Sequence, residues 1–203
     1  MNTFGRTLSI SAALLLLAGA AIAQDDNGEI VQGDPISGDG LALGEEVQGD
    51  GMGETYVEEV FQDWEMRCVR VEDGSDPCQL FQLLQDEEGN SVAEISKFGL
   101  PEGGEAVAGA TIITPLETLL TQQIAMSVDG GAVRRYPFTW CSAIGCVARV
   151  GFTEEEVAEF RRGAEATLTI VPAAAPDQQV NLSISLMGFS AGFDAVNEAN
   201  QAN

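Results

Sequence analysis

Histidine is absent from all 203 residues. That removes Ser-His-Asp and Cys-His nucleophile arrangements, together with zinc hydrolase sites built on imidazole ligands. Basic residues are scarce: nine Lys and Arg stand against 32 Asp and Glu, a formal charge of −23. Phosphate backbones and anionic lipid surfaces need clustered Lys and Arg, so nucleic acid is excluded as a partner. Cysteine is confined to Cys68, Cys78, Cys141 and Cys146. None forms a C-x-x-C pair, which argues against zinc and thioredoxin-like redox chemistry. No cofactor and no metal site is expected.

Long apolar runs are also missing, except at the start. Arg6 followed by the apolar stretch Leu8–Ala18 and then Ala21-Ile22-Ala23 has the order of a signal peptide, with cleavage expected between Ala23 and Gln24. The apolar stretch is shorter than the roughly 20 residues that span a bilayer, and no cysteine at the cleavage point suggests a lipid anchor. Residues 1–23 carry one basic residue and no carboxylate, so without them eight basic residues face 32 acidic ones, a charge of −24. The chain is therefore expected in the periplasm, at the outer membrane or outside the cell, with no transmembrane helix in its mature form.

Residues 24–55 are acidic, Gly-rich and without Lys or Arg. Such composition buries too little apolar surface to offset the entropy of ordering, and reads as a disordered leader. Val31-Gln32-Gly33-Asp34 recurs as Val47-Gln48-Gly49-Asp50. Neither an EF-hand loop nor a nine-residue calcium repeat accompanies it, so an acidic low-complexity segment is the better reading than a calcium site.

Residues 56–199 are long enough for one domain with a single core, followed by a short tail at 200–203. Strand signals dominate. Trp64, Met66 and Cys68 alternate with polar neighbours, and Ala93, Ile95 and Lys97 alternate with Val92, Glu94 and Ser96. Further strands are expected at 78–84, 110–113, 124–128, 133–138, 146–152, 167–171 and 180–186. Asp129-Gly130-Gly131 marks a hairpin. One helix is expected at about 153–162, where Thr153-Glu154-Glu155-Glu156 has the form of a capping box and Arg161 and Arg162 suit the negative end of the helix dipole. Gly163 is expected to stop it. About nine short strands and one short helix indicate a mainly β, antiparallel sandwich.

In an exported chain four cysteines read as two disulfides. Three pairings are possible, and the favoured one closes two short local loops, Cys68–Cys78 and Cys141–Cys146.

The ordered series Trp64-x-x-x-Cys68, Cys78-Gln79-Leu80, Pro115-Leu116, Val128-Asp129-Gly130-Gly131, Pro137-Phe138, Cys141, Gly145-Cys146-Val147-Ala148 and Leu186-x-Gly188-Phe189 resembles the invasion-associated locus B family of alphaproteobacterial envelope proteins. The resemblance covers about 59–193 and implies an exported protein with an immunoglobulin-like β-sandwich. Some pathogenic members are named for a role in host-cell invasion. The family has no accepted catalytic residues, so none is carried over. The long acidic leader is a departure from simpler members.

Function therefore divides three ways. A non-enzymatic envelope or secreted protein that binds an unknown protein or envelope component fits best, with 99–104 and 172–177 as candidate contact loops. A periplasmic envelope-stress or assembly factor, chaperone-like, is the alternative. A carboxylate-dependent hydrolase is the third, with Asp129 and Glu117 as the nominal pair. Trp64, Phe81, Phe138 and Trp140 are expected to pack in the core or in hairpins.

Overall fold

The structure, a computed structural model, describes residues 51–86, 88–101 and 103–202. The expected signal peptide and almost all of the acidic leader, including the Val31 and Val47 repeats, lie outside the described residues. The strands are Thr55–Phe61 (β1), Trp64–Val69 (β2), Cys78–Gln85 (β3), Ser91–Gly99 (β4), Ala108–Thr114 (β5), Ile124–Val128 (β6), Arg134–Tyr136 (β7), Trp140–Ser142 (β8), Gly145–Phe152 (β9), Glu165–Ile170 (β10) and Val180–Ser185 (β11). The helices are Glu154–Arg162 (α1) and Phe189–Ala202 (α2).

Every strand pairing is antiparallel, in the order β7-β6-β10-β11-β3-β4-β5-β9-β8, with β1 and β2 beside β3. β3 is the shared strand. One of its edges carries β4 from Leu80 to Gln85. The other pairs with β2 over Cys78–Phe81 and with β11 at Gln85 alone. The sheet therefore curls at β3 into two layers, and the mainly β, antiparallel sandwich expected from the strand pattern is present.

Alternation decides which side chains fill the space between the layers. Trp64, Leu80, Ile95, Ile112, Leu168, Leu182 and Ile184 are sealed there. Both disulfides, Cys68–Cys78 and Cys141–Cys146, join residues directly opposite one another across a strand pair. Each ties a hairpin to itself, as the local pairing anticipates.

Two strands escape the sequence pattern. β1 is a largely exposed, acidic edge strand with a bulge between Val57 and Glu59, so it lacks the apolar alternation that identifies a buried strand. β8 is three residues long and exposed along its length.

α1 matches expectation. The Thr153 hydroxyl accepts from the Glu156 amide, and the Glu156 carboxylate accepts from the Thr153 amide at 2.7 Å. Gly163 follows it in an extended conformation, φ −73°, not in the left-handed cap that stops many helices. A side chain there would fall 2.5 Å from the Val128 side chain, so close packing explains this glycine.

The expectation of a single helix needs correction, because α2 is a second one and extends through residues assigned to the tail. Its buried stripe is Phe189, Gly192, Phe193 and Val196, the three- and four-residue spacing of one helical face. Gly192, Asn197 and Asn200, all poor helix formers, obscure that spacing. Packing against β1, β2, β3 and β4 stabilises the helix in spite of its weak propensity.

Candidate functional site

The inner face holds an unusual group. Lys97 occupies an inward position of β4, beside Ala93 and Ile95 in the same alternation, and is 0% exposed. Among the described residues its Nζ has no hydrogen-bond partner. It lies over three phenyl rings, 3.2 Å from the centroid of Phe160, 4.0 Å from Phe152 and 4.9 Å from Phe189. These rings come from α1, β9 and the first residue of α2. The ring faces favour an ammonium, as does the negative charge of Glu156. Burial dominates nonetheless and pulls the Lys97 pKa well below its ordinary value. The amine is sealed from solvent and is not placed to meet a substrate.

Around it runs a continuous aromatic path. Trp64 and Phe160 both lie against Phe189, Phe160 against Phe152, and Phe152 edge-on to Tyr136, with centroids 5.3–5.8 Å apart. The path ends at a polar clamp. The Tyr136 hydroxyl donates to Glu156 at 3.0 Å. Arg134 pairs with Glu156 at 2.9 Å and with Glu159 at 2.7 Å. Burial and the adjacent Glu156 push the Tyr136 phenol up, while the Arg134 guanidinium holds the Glu159 carboxyl down. These residues fasten α1 to β7, which makes Arg134 a structural partner.

The nominal carboxylate pair is not assembled. Asp129 accepts from the amides of Ala164 and Glu165, at the start of β10. The Glu117 backbone accepts from Ala173, beyond the end of β10. The length of that strand, roughly 17 Å at about 3.3 Å per residue, lies between the two anchoring points. Glycoside-cleaving carboxylates stand about 5–9.5 Å apart. Among the described residues no group of three or more His, Cys, Asp or Glu side chains is placed to hold a metal ion.

The outer face differs. Pairing registers set Leu83, Glu94, Ile113, Val147 and Trp140 side by side across β3, β4, β5, β9 and β8. Directly paired residues share a face, so this row lies opposite the core. A groove of about 370 Å³ runs along part of it, lined by Leu83, Val92, Glu94, Ile113, Pro115 and Ile144 among others. Leu83 is 49% exposed, Trp140 48% and Ile144 66%. Ile144 reaches this groove because the β8–β9 turn leans on the end of β5. Gly145 makes that contact at φ +133°, and a side chain there would meet the Thr114 carbonyl at 2.4 Å. The Cys141–Cys146 bridge fixes the same turn.

Trp140, expected in packing, is exposed. Trp64 is core. Phe81 faces outward and is covered by the Arg67 guanidinium, 3.3 Å from its ring centroid. Phe138 is partly buried against the core. Gly99, Leu100 and Pro101 of one candidate loop line a separate cleft with Asn197, Asn200 and Gln201 of α2, while Glu102 lies outside the described residues. The other candidate loop is tied down at Pro172, which bridges to Thr118, and at Ala173.

Comparison with known proteins places this geometry in context. The family model described as "Invasion associated locus B (IalB) protein" matches residues 64–197. The chain is 26% identical over 144 residues to invasion protein B homologues from two strains of Brucella abortus, covering 71% of this chain and 81% of each relative. Invasion associated protein B from Bartonella henselae, a solved crystal structure, superposes with a TM-score of 0.60. It is 24% identical, and the match covers 71% of this chain and 96% of that one. That likeness concerns the fold.

Proposed function

This chain belongs to the invasion-associated locus B family, and from that premise we propose that it is an exported, non-enzymatic protein of the bacterial envelope or its surroundings that binds a protein or envelope component. The observation that carries the reading is the contrast between the two sheet faces. Lys97 is sealed inside, and Tyr136 and Glu159 are held in hydrogen bonds and ion pairs that fasten α1 to β7. Outside, the exposed apolar side chains of Leu83 and Ile144 border a groove. Chemistry needs titratable groups converging on a cleft, whereas recognition needs an accessible apolar surface with few polar groups.

Two disulfides support the location, because such bridges persist in oxidising compartments. Among the described residues no helix is long and apolar enough to cross a membrane. Invasion, the word in the relatives' names, is one setting for contact of this kind.

The test is fractionation of cells producing the full-length tagged protein, combined with protease treatment of intact cells and thiol labelling. Recovery outside the cytoplasm with all four cysteines oxidised is the expected result. Digestion on intact cells would place it at the surface, and protection until the outer membrane is opened would place it in the periplasm. A reduced, cytoplasmic protein would overturn the reading, as would turnover of a glycan or peptide panel abolished by one carboxylate substitution.

A further inference from the structure

We infer that the outer groove receives an amphipathic helix of a protein partner, with a Lys or Arg of that helix facing Glu94. The inference rests on the binding reading above and names the site and the partner's chemistry.

The middle of the row crosses β4, β5 and β9, which have neighbours on both sides, and ends on the edge strand β8. Inside β4, β5 and β9 the backbone amides and carbonyls are committed to pairing, so a partner strand has no edge to join there. Contact must be made by side chains, from an element whose own backbone is satisfied, and a helix meets that condition. From Leu83 to Trp140 the row spans four strand spacings, roughly 19 Å. A helix of about 13 residues covers that length at 1.5 Å per residue.

Charge selects the partner. Glu94 stands between Leu83 and Ile113 in the row and makes no ion pair among the described residues. Covering it with a neutral helix would desolvate a carboxylate without compensation, and a cation removes that cost. The chain's charge of −23 draws cationic segments toward it and repels a second copy. Arg149, in the adjacent row on β9, discourages a second cation at the far end.

The experiment uses full-length protein with its disulfides intact and two synthetic Leu/Lys peptides of about 14 residues. One peptide is amphipathic, and the other is a scramble of the same composition without an apolar face. Trp140 is the reporter, since Trp64 is fully buried. A blue shift and saturable binding are expected with the amphipathic peptide alone. Leu83→Asp and Glu94→Lys should each weaken it by about tenfold or more. Glu117→Lys, the same charge change at an exposed position outside the row, should leave it within about twofold.

Equal binding of the scramble, or an equal loss with Glu117→Lys, would assign the effect to bulk acidity and overturn the inference. So would Leu83-dependent self-association or adsorption to phosphatidylcholine vesicles, which would give the face to a second copy or to lipid. A photocrosslinker at Leu83, with Val133 as a control position, separates the two readings in cells. Partner adducts at Val133 alone would keep the binding reading and remove this site. Absence of adducts at both positions would count against both.

Discussion

The side-chain amide of Asn200 holds both backbone polar groups of Cys78. Its oxygen accepts from the Cys78 amide at 2.8 Å, and its nitrogen donates to the Cys78 carbonyl at 2.9 Å. Pairing between β3 and β4 stops at Leu80 opposite Lys97, so Cys78 has no strand neighbour on that side. The last turn of α2 supplies one by mimicry of a peptide group. Gln82 acts alike at the other edge of β3, accepting from the Ser185 amide at 2.9 Å and donating to the Ser185 and Asp63 carbonyls.

Asn200→Ala leaves the Cys78 amide and carbonyl without these partners. A loss of about 1–3 kcal/mol is expected from urea unfolding. Faster amide exchange should be confined to α2 and the start of β3, whereas Asn90→Ala, in an exposed turn, should leave that region unchanged.

Lys97 makes stability depend on alkaline pH in a particular direction. Burial lowers its pKa in the folded state, so the unfolded chain binds the proton more readily. Stability therefore rises with pH on the alkaline side, up to the unfolded lysine value of about 10.4. Tyr136, whose phenol is raised, acts in the opposite sense only above about pH 10, where the unfolded tyrosine ionises. Denaturant midpoints across that range should climb for the native chain and lie flat for Lys97→Met.

Gly188 and Gly130 separate conformational strain from steric collision. Both have positive φ, +85° and +68°. A side chain at Gly130 meets nothing within 4 Å, while one at Gly188 falls 1.9 Å from the Phe61 carbonyl oxygen. Gly130→Ala should cost about 1–2 kcal/mol. Gly188→Ala should cost clearly more, because either β1 or α2 must shift. Thermal melts of the two variants provide the comparison.

Replacing Cys141 and Cys146 by serine removes a bridge over a five-residue separation. Loop entropy assigns it about 2 kcal/mol. Beyond that loss, amide exchange at 143–145 should accelerate while β10 and β11 keep their protection. A uniform acceleration throughout the domain would contradict the local role given to this staple.

Local rules made much of this legible. The alternation of Trp64, Met66 and Cys68, the capping box at Thr153, and the short cysteine spacings each specify a neighbourhood of a few residues, and each appears as read. The same alternation put Lys97 in line with Ala93 and Ile95, so its burial was written in the pattern, although a lysine is seldom accepted as a core residue. What composition concealed depends on distant neighbours. β1 is stabilised by β2 and by Tyr56 and Phe61 at its two ends, without a continuous apolar face. α2 owes its helicity to the surface it covers, and the outer row exists only once five strands are in register.

The closing seam has a consequence for the order of events. Gln82 and Ser185 are 103 residues apart, and only Ser183↔Gln85 pairs the two strands there. A chain appearing from its N-terminus can complete β1 to β4 and oxidise Cys68 with Cys78 long before β11 exists. Until Ser185 arrives, Trp64 lacks the carbonyl its indole donates to at 2.8 Å, and the apolar interior of the first hairpins stays open to water. The molecule thus passes through an interval with half of its core unroofed, whose length is set by how fast the C-terminal third is delivered.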